Sequence, residues 1–101
     1  MSSVTGEDIL RGRILKLLYE MSKEEPSPYG VHRTAVMEAM GITEAAMDNA
    51  MMFLARNNLV TLTEALNVFW LWAKITSTGQ AAIEDTVKYS QRFPFLKYLE
   101  E

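Results

Sequence analysis

The feature that most constrains this chain is a change of period at Leu59. Before it, apolar residues recur every three or four positions, as on one face of a helix. From Leu59 to Leu66 and again from Val68 to Ile75 they crowd into runs rich in β-branched and aromatic residues, with Asn67 at a tight turn between them. That predicts a β-hairpin, and helical spacing resumes after Thr76. A chain of 101 residues with helices on both sides of one hairpin has room for a single domain and one core.

The helical segments carry their own punctuation. Thr5-Gly6-Glu7-Asp8 has the form of a capping box, and Leu10, Ile14, Leu17, Leu18 and Met21 follow as one apolar stripe. Two prolines between Ser22 and Tyr29 end that first helix in a solvated loop. A second helix is predicted from about Arg33 to Met40, with Val36 and Met40 inward and Gly41 as its left-handed terminator. Thr43 then caps a third helix from Glu44 to Asn57, burying Met47, Ala50, Met51 and Leu54. Asn58 stands where the chain turns sharply, and asparagine tolerates positive φ better than other residues with a side chain. Thr76 caps a fourth helix in which Gly79, Ile83, Val87 and Ser90 share a face, until Pro94 breaks it near Phe93. Residues 95–101 then form one last turn. The expected organisation is one domain over 1–101, with its core in about 7–85 and a C-terminal helix and aromatic tail in 86–101.

Composition excludes several classes of function. With no cysteine there is no disulfide, thiolate metal site or thiol nucleophile. His32 is the one histidine, too little for a zinc site, and is expected to cap a helix or lie at the surface. Glu24-Glu25, Glu84-Asp85 and Glu100-Glu101 read as solvated ends, and neither a phosphate loop nor a nucleophile elbow is present. No enzyme, metal or cofactor is therefore expected. The longest apolar run, Val68 to Ala73, is far short of the ~20 residues of a membrane span. Met1 to Asp8 lacks the basic and apolar regions of a secretory signal, so a cytoplasmic location is the expectation.

Three stretches bear a likeness to a known family. Thr34-Ala35-Val36-Met37-Glu38-Ala39-Met40-Gly41-Ile42-Thr43, Met51-Met52-Phe53-Leu54-Ala55-Arg56-Asn57-Asn58-Leu59-Val60 and Ile75-Thr76-Ser77-Thr78-Gly79-Gln80 follow one another with matching spacing. Together they resemble the winged helix-turn-helix domains of MarR- and PadR-like transcriptional regulators, over about Glu7 to Asp85. The resemblance implies an α+β, mainly α fold with a three-helix core, a two-stranded wing and a fourth helix. It also implies a homodimer whose third helix enters the DNA major groove while the wing touches the backbone. Asn58 stands where the family usually has glycine. Between Val60 and Val68 the wing carries Thr61, Thr63, Glu64 and Asn67 but no cation, unlike many family wings.

Two functions follow. In the first, the chain is a DNA-binding regulator in which Arg33, Thr43, Asn49 and Arg56 face double-stranded DNA, and the C-terminal aromatic segment with the first helix forms the dimer seam. Glu44 and Asp48 on the leading face of the third helix oppose it by repelling phosphates, and the net charge of −3 gives no help. On this reading, Asp48→Lys raises DNA affinity. In the second, the chain is a protein-interaction module whose partner or dimer surface comprises Met52, Phe53, Trp70, Trp72, Phe93, Phe95, Tyr98 and Leu99. Strand alternation puts Leu71, Ala73 and Ile75 in the core and Trp70 and Trp72 on the opposite face with Val68 and Lys74. That opposite face is either an interface or is covered by helices of the same domain. Phe93 and Phe95 either fold back onto the first helix or dimerise. The family resemblance favours DNA and the residue chemistry favours protein; the DNA-binding regulator is the leading expectation and the interaction module the alternative.

Overall fold

The change of period at Leu59 is the place where helix gives way to sheet. The structure, a computed structural model, describes residues 6–99. Helix α1 spans Gly6–Glu24, strand β1 Val31–His32, α2 Arg33–Met40, α3 Glu44–Arg56, β2 Val60–Ala65, β3 Val68–Ile75, α4 Ser77–Glu84 and α5 Thr86–Tyr89, and a 3-10 turn follows at Pro94–Tyr98. The fold is α+β and mainly helical, with a small antiparallel sheet in the order β1-β3-β2. The cap expected at Thr5 and the Glu100-Glu101 pair lie outside the described residues. No helix among those described is long and apolar enough to cross a membrane.

Local signals set the boundaries. Thr43 Oγ1 accepts from the Ala46 N–H at 3.2 Å and starts α3. Gly41, left-handed at φ 63°, ends α2 by donating its N–H to the Met37 carbonyl. Asn58 has φ 61°, as its place after α3 predicts. Thr76 makes two links: its Oγ1 accepts from the Gly79 N–H at 3.0 Å and donates to the Asn58 carbonyl at 2.7 Å. The start of α4 is thereby tied to the end of α3, across the base of the hairpin.

Two features depart from the sequence reading, and a third resolves an alternative it left open. The sheet has a third strand, β1, which pairs Val31 with Ala73 and His32 with Trp72. Two residues show no alternation, so nothing local marks them as a strand. Gly30 admits the pairing: at φ 97° it lies against the Ala73 carbonyl, where a Cβ would collide with the backbone. Second, the expected fourth helix breaks at Asp85, whose carboxylate accepts from the Lys88 N–H and starts the short α5. The break turns Val87 outward, to 82% exposure, instead of inward with Gly79 and Ile83.

Third, the aromatic tail belongs to the core. Phe93, Phe95 and Leu96 are buried together with Ile14, Leu15 and Leu18 of α1. Gly12 makes the room, since a Cβ there would stand 3.0 Å from Leu99 Cδ2 and 3.7 Å from the Phe95 ring. Of the two alternatives for Phe93 and Phe95, folding back onto the first helix is the one found, so both are corrected from candidate surface to core. The reason is area: on a chain of this length, the exposed flank of α1 is covered only if the tail returns to it. Phe95→Ala should lower the unfolding free energy by about 3 kcal/mol in a urea titration, the range for a buried aromatic. A tail that served only as a dimer seam would leave the stability of the monomer unchanged.

Candidate functional site

Helix α3 and the hairpin that follows it carry half of the candidate residues, and one side chain from α2 decides how they are arranged. Arg33 is only 8% exposed and is the one buried charged residue among those described. Its guanidinium grips Asp48 with two bonds, Nη1 to Oδ1 at 2.8 Å and Nη2 to Oδ2 at 3.1 Å. Nη2 also reaches Glu44 Oε2 at 3.2 Å, and Nη1 reaches the Trp70 carbonyl at 3.4 Å. Trp70, fully buried, donates its indole N–H to Asp48 Oδ1 at 2.8 Å. Its ring lies beneath the Arg33 guanidinium, 5.1 Å from Cζ to the centroid.

The hydrogen bond with Asp48 holds the Arg33 guanidinium above its ordinary proton affinity, against the opposing effect of burial. A folded value above the unfolded one gives stability that is complete below the unfolded value, which already lies far above neutral pH. It is lost only as pH rises through the still higher folded value. Across the neutral range this contribution is constant.

This cluster overturns two expectations and reinterprets a third. Arg33 is enclosed and fully engaged, so it is not available to a phosphate. A cation buried at this point must find anions nearby, because an unpaired buried charge is strongly unfavourable. Trp70 faces the core, not the opposite face. Alternation does hold from Trp72 to Ile75, with Ala73 and Ile75 buried. Beyond Trp72 the register slips: Thr63 pairs with Trp72, but Ala65 pairs with Val68, leaving Phe69, Trp70 and Leu71 opposite Glu64 alone. The extra residues turn the strand and bring Trp70 into the core layer. Asp48, in turn, is no free acid on a leading face but the acceptor that satisfies Arg33 and Trp70. Asp48→Lys would place a second cation against Arg33, so it reports on folding rather than on DNA.

The other candidates separate by environment. Along the outer side of α3, Ala45, Asn49, Met52 and Arg56 follow at helical spacing; Met52 is half-buried, the others are exposed, and Arg56 is the only cation on this helix. Beside them, a shallow groove of about 210 Å³ runs between α1 and α3, lined by Leu10, Arg11, Ala46 and Asn49 among others. Thr43, exposed, already uses its hydroxyl oxygen as the α3 cap. Phe53 is half-buried between Arg11, 3.8 Å from the ring centroid, and Phe95, which meets it edge-on at 5.6 Å. Tyr98 and Leu99 are half-buried on the tail. Trp72 does turn away from the core, half-buried beneath Tyr29 at 5.8 Å and the edge of His32 at 4.8 Å. His32 caps α2, its Nδ1 accepting from the Thr34 N–H.

Two exposed apolar residues of the hairpin were not singled out by sequence reasoning. Leu66, at the tip of the hairpin, is 97% exposed, and Phe69 beside it is 39% exposed. The signal was present: a two-residue turn at Leu66-Asn67 lifts its first residue beyond the reach of any core. Thr61, Thr63, Glu64 and Asn67 are exposed along the same hairpin, and Lys74 is exposed at its base. Among the described residues no group of three or more His, Cys, Asp or Glu is placed to hold a metal ion.

Asp48→Ala removes the bidentate partner of a buried cation and the acceptor of a buried indole. It should cost about 3 kcal/mol in chemical denaturation, the lower end for breaking a buried pair because Asp48 keeps 29% of its side-chain surface. Replacing Arg33 and Asp48 together by leucine should cost less than Asp48→Ala alone. A loss under about 1 kcal/mol for the single variant would rule out the structural role assigned to this cluster. No protein-family model matches the chain, and comparisons with curated proteins and with solved structures found no match.

Proposed function

We propose that this chain is a winged helix-turn-helix domain of the kind found in MarR- and PadR-like regulators, and that it recognises a protein rather than DNA. In this reading α2, Gly41 and α3 form the helix-turn-helix and β2–β3 the wing. The element order and the left-handed Gly41 between α2 and α3 support the assignment. The proposed role is binding, not catalysis: the single histidine is engaged as a helix cap.

One observation carries the choice of ligand. Arg33, which a DNA reading needs at the front of the helix-turn-helix, is buried against Asp48 and Glu44. What remains is Arg56 on α3 and Lys74 at the base of the hairpin, with no cation from Val60 to Val68. Two phosphate contacts correspond to a salt slope of only about −2 and to poor affinity for any duplex. The hairpin tip instead offers Leu66 and Phe69 to solvent, and exposed apolar side chains at a protruding tip suit a protein partner.

A DNA reading retains one supporting observation: Asn49 and Arg56 are exposed on α3, and Asn is the usual reader of adenine. Fluorescence anisotropy against mixed-sequence duplexes at low salt separates the two. The expected result is binding no stronger than that of an unrelated acidic protein. Saturable binding that Asn49→Ala and Arg56→Ala both weaken would establish DNA as the ligand instead. For the protein reading, the tagged chain should retain a partner that Leu66→Ser with Phe69→Ser releases.

A further inference from the structure

We propose that the free edge of β2 pairs with the β2 edge of a second copy of this chain, giving one continuous six-stranded antiparallel sheet centred on Leu62, twice the three strands of one copy. The strand order leaves β2 and β1 at the two edges, and β1 is only two residues long. β2 has six residues. The bond from the Thr76 N–H to the Leu59 carbonyl fixes the phase of the β2–β3 ladder. Leu59, Thr61 and Thr63 direct their main-chain groups to β3, so those of Val60, Leu62 and Glu64 point outward.

Exposed edges in natural sheets are blunted by lysine, proline or a bulge. From Asn57 to Ala73 there is no Lys, Arg or Pro, and Glu64 is the only charged residue. The irregularity in the hairpin places its extra residues on β3, leaving the β2 edge regular.

A second copy fits this edge by its own register. With a twofold axis at Leu62, each Thr61 lies opposite the other copy's Thr63, and each Val60 opposite the other copy's Glu64. No like charges meet. The exposed Leu66 comes beside the second copy's Asn58, and Glu64 approaches the end of the second α3, which carries Arg56. The tail, the other candidate seam, is already buried in its own chain. This pairing does not depend on what α3 and the hairpin tip recognise, and the variants below leave both unaltered.

Sedimentation equilibrium of the full chain should give a mass rising with concentration to twice 11.5 kDa. Thr61→Glu with Thr63→Glu sets acid against acid across the axis and should weaken the dimer about tenfold or more. Thr61→Glu with Thr63→Lys sets acid against base and should restore it, with the same far-UV circular dichroism in all three proteins. A wild-type mass that stays monomeric into the millimolar range overturns the proposal. So does a dimer that tolerates the two glutamates, or one that the lysine fails to restore.

Discussion

The salt bridge from Arg33 to Asp48, with Trp70 beneath it, is the constraint on which the rest of the structure depends. Arg33 stands at the first residue of α2, Asp48 one turn into α3 and Trp70 in the middle of β3, so one cluster joins two helices and the sheet. A buried guanidinium is tolerated only where its donors are met, and here a carboxylate, a second carboxylate and a main-chain carbonyl meet them. Such a cluster is weak evidence of net stability, because apolar side chains of similar volume often serve as well. What it does fix is the arrangement. Any other angle between α2 and α3, or any other register of β3 against them, leaves a charge or an indole N–H without its partner.

That arrangement governs what the surface can offer. By drawing Asp48 inward, Arg33 neutralises the acid that would otherwise oppose an anionic ligand, and in the same act it withdraws the cation that would attract one. The outer side of α3 is left nearly neutral, with Arg56 its only positive charge. The slipped register near Glu64 moves Trp70 into the core, while Phe69 is left exposed beside the two-residue turn that lifts out Leu66. One irregularity in the ladder therefore completes the core beside the most exposed apolar side chain among the described residues.

The tail shows the same economy of surface in a small protein. Gly12 on α1, with no side chain, lets Phe95 and Leu99 lie close to the helix, and Phe95 in turn covers one edge of Phe53 on α3. Arg11 covers the other face of that ring. Residues that read from sequence as an adhesive cluster are largely consumed in closing the chain on itself, and the open edge left over belongs to β2.

The sequence by itself determined most of the elements and their ends: the helical stripe of α1, the caps at Thr43 and Thr76, the turns at Gly41 and Asn58, and the hairpin after Leu59. Each depends on residues within a few positions of one another, so spacing and side-chain type suffice to read them. Only the tertiary structure decided the fate of Arg33, the face of Trp70 and the destination of Phe95. The bonds responsible join residues 15, 22 and 37 positions apart, between Arg33 and Asp48, Asp48 and Trp70, and Arg33 and Trp70. No local rule specifies which distant carboxylate a cation will find. Nor does alternation hold through an irregular stretch, where the two extra residues of β3 leave the pleat and turn out of phase with it.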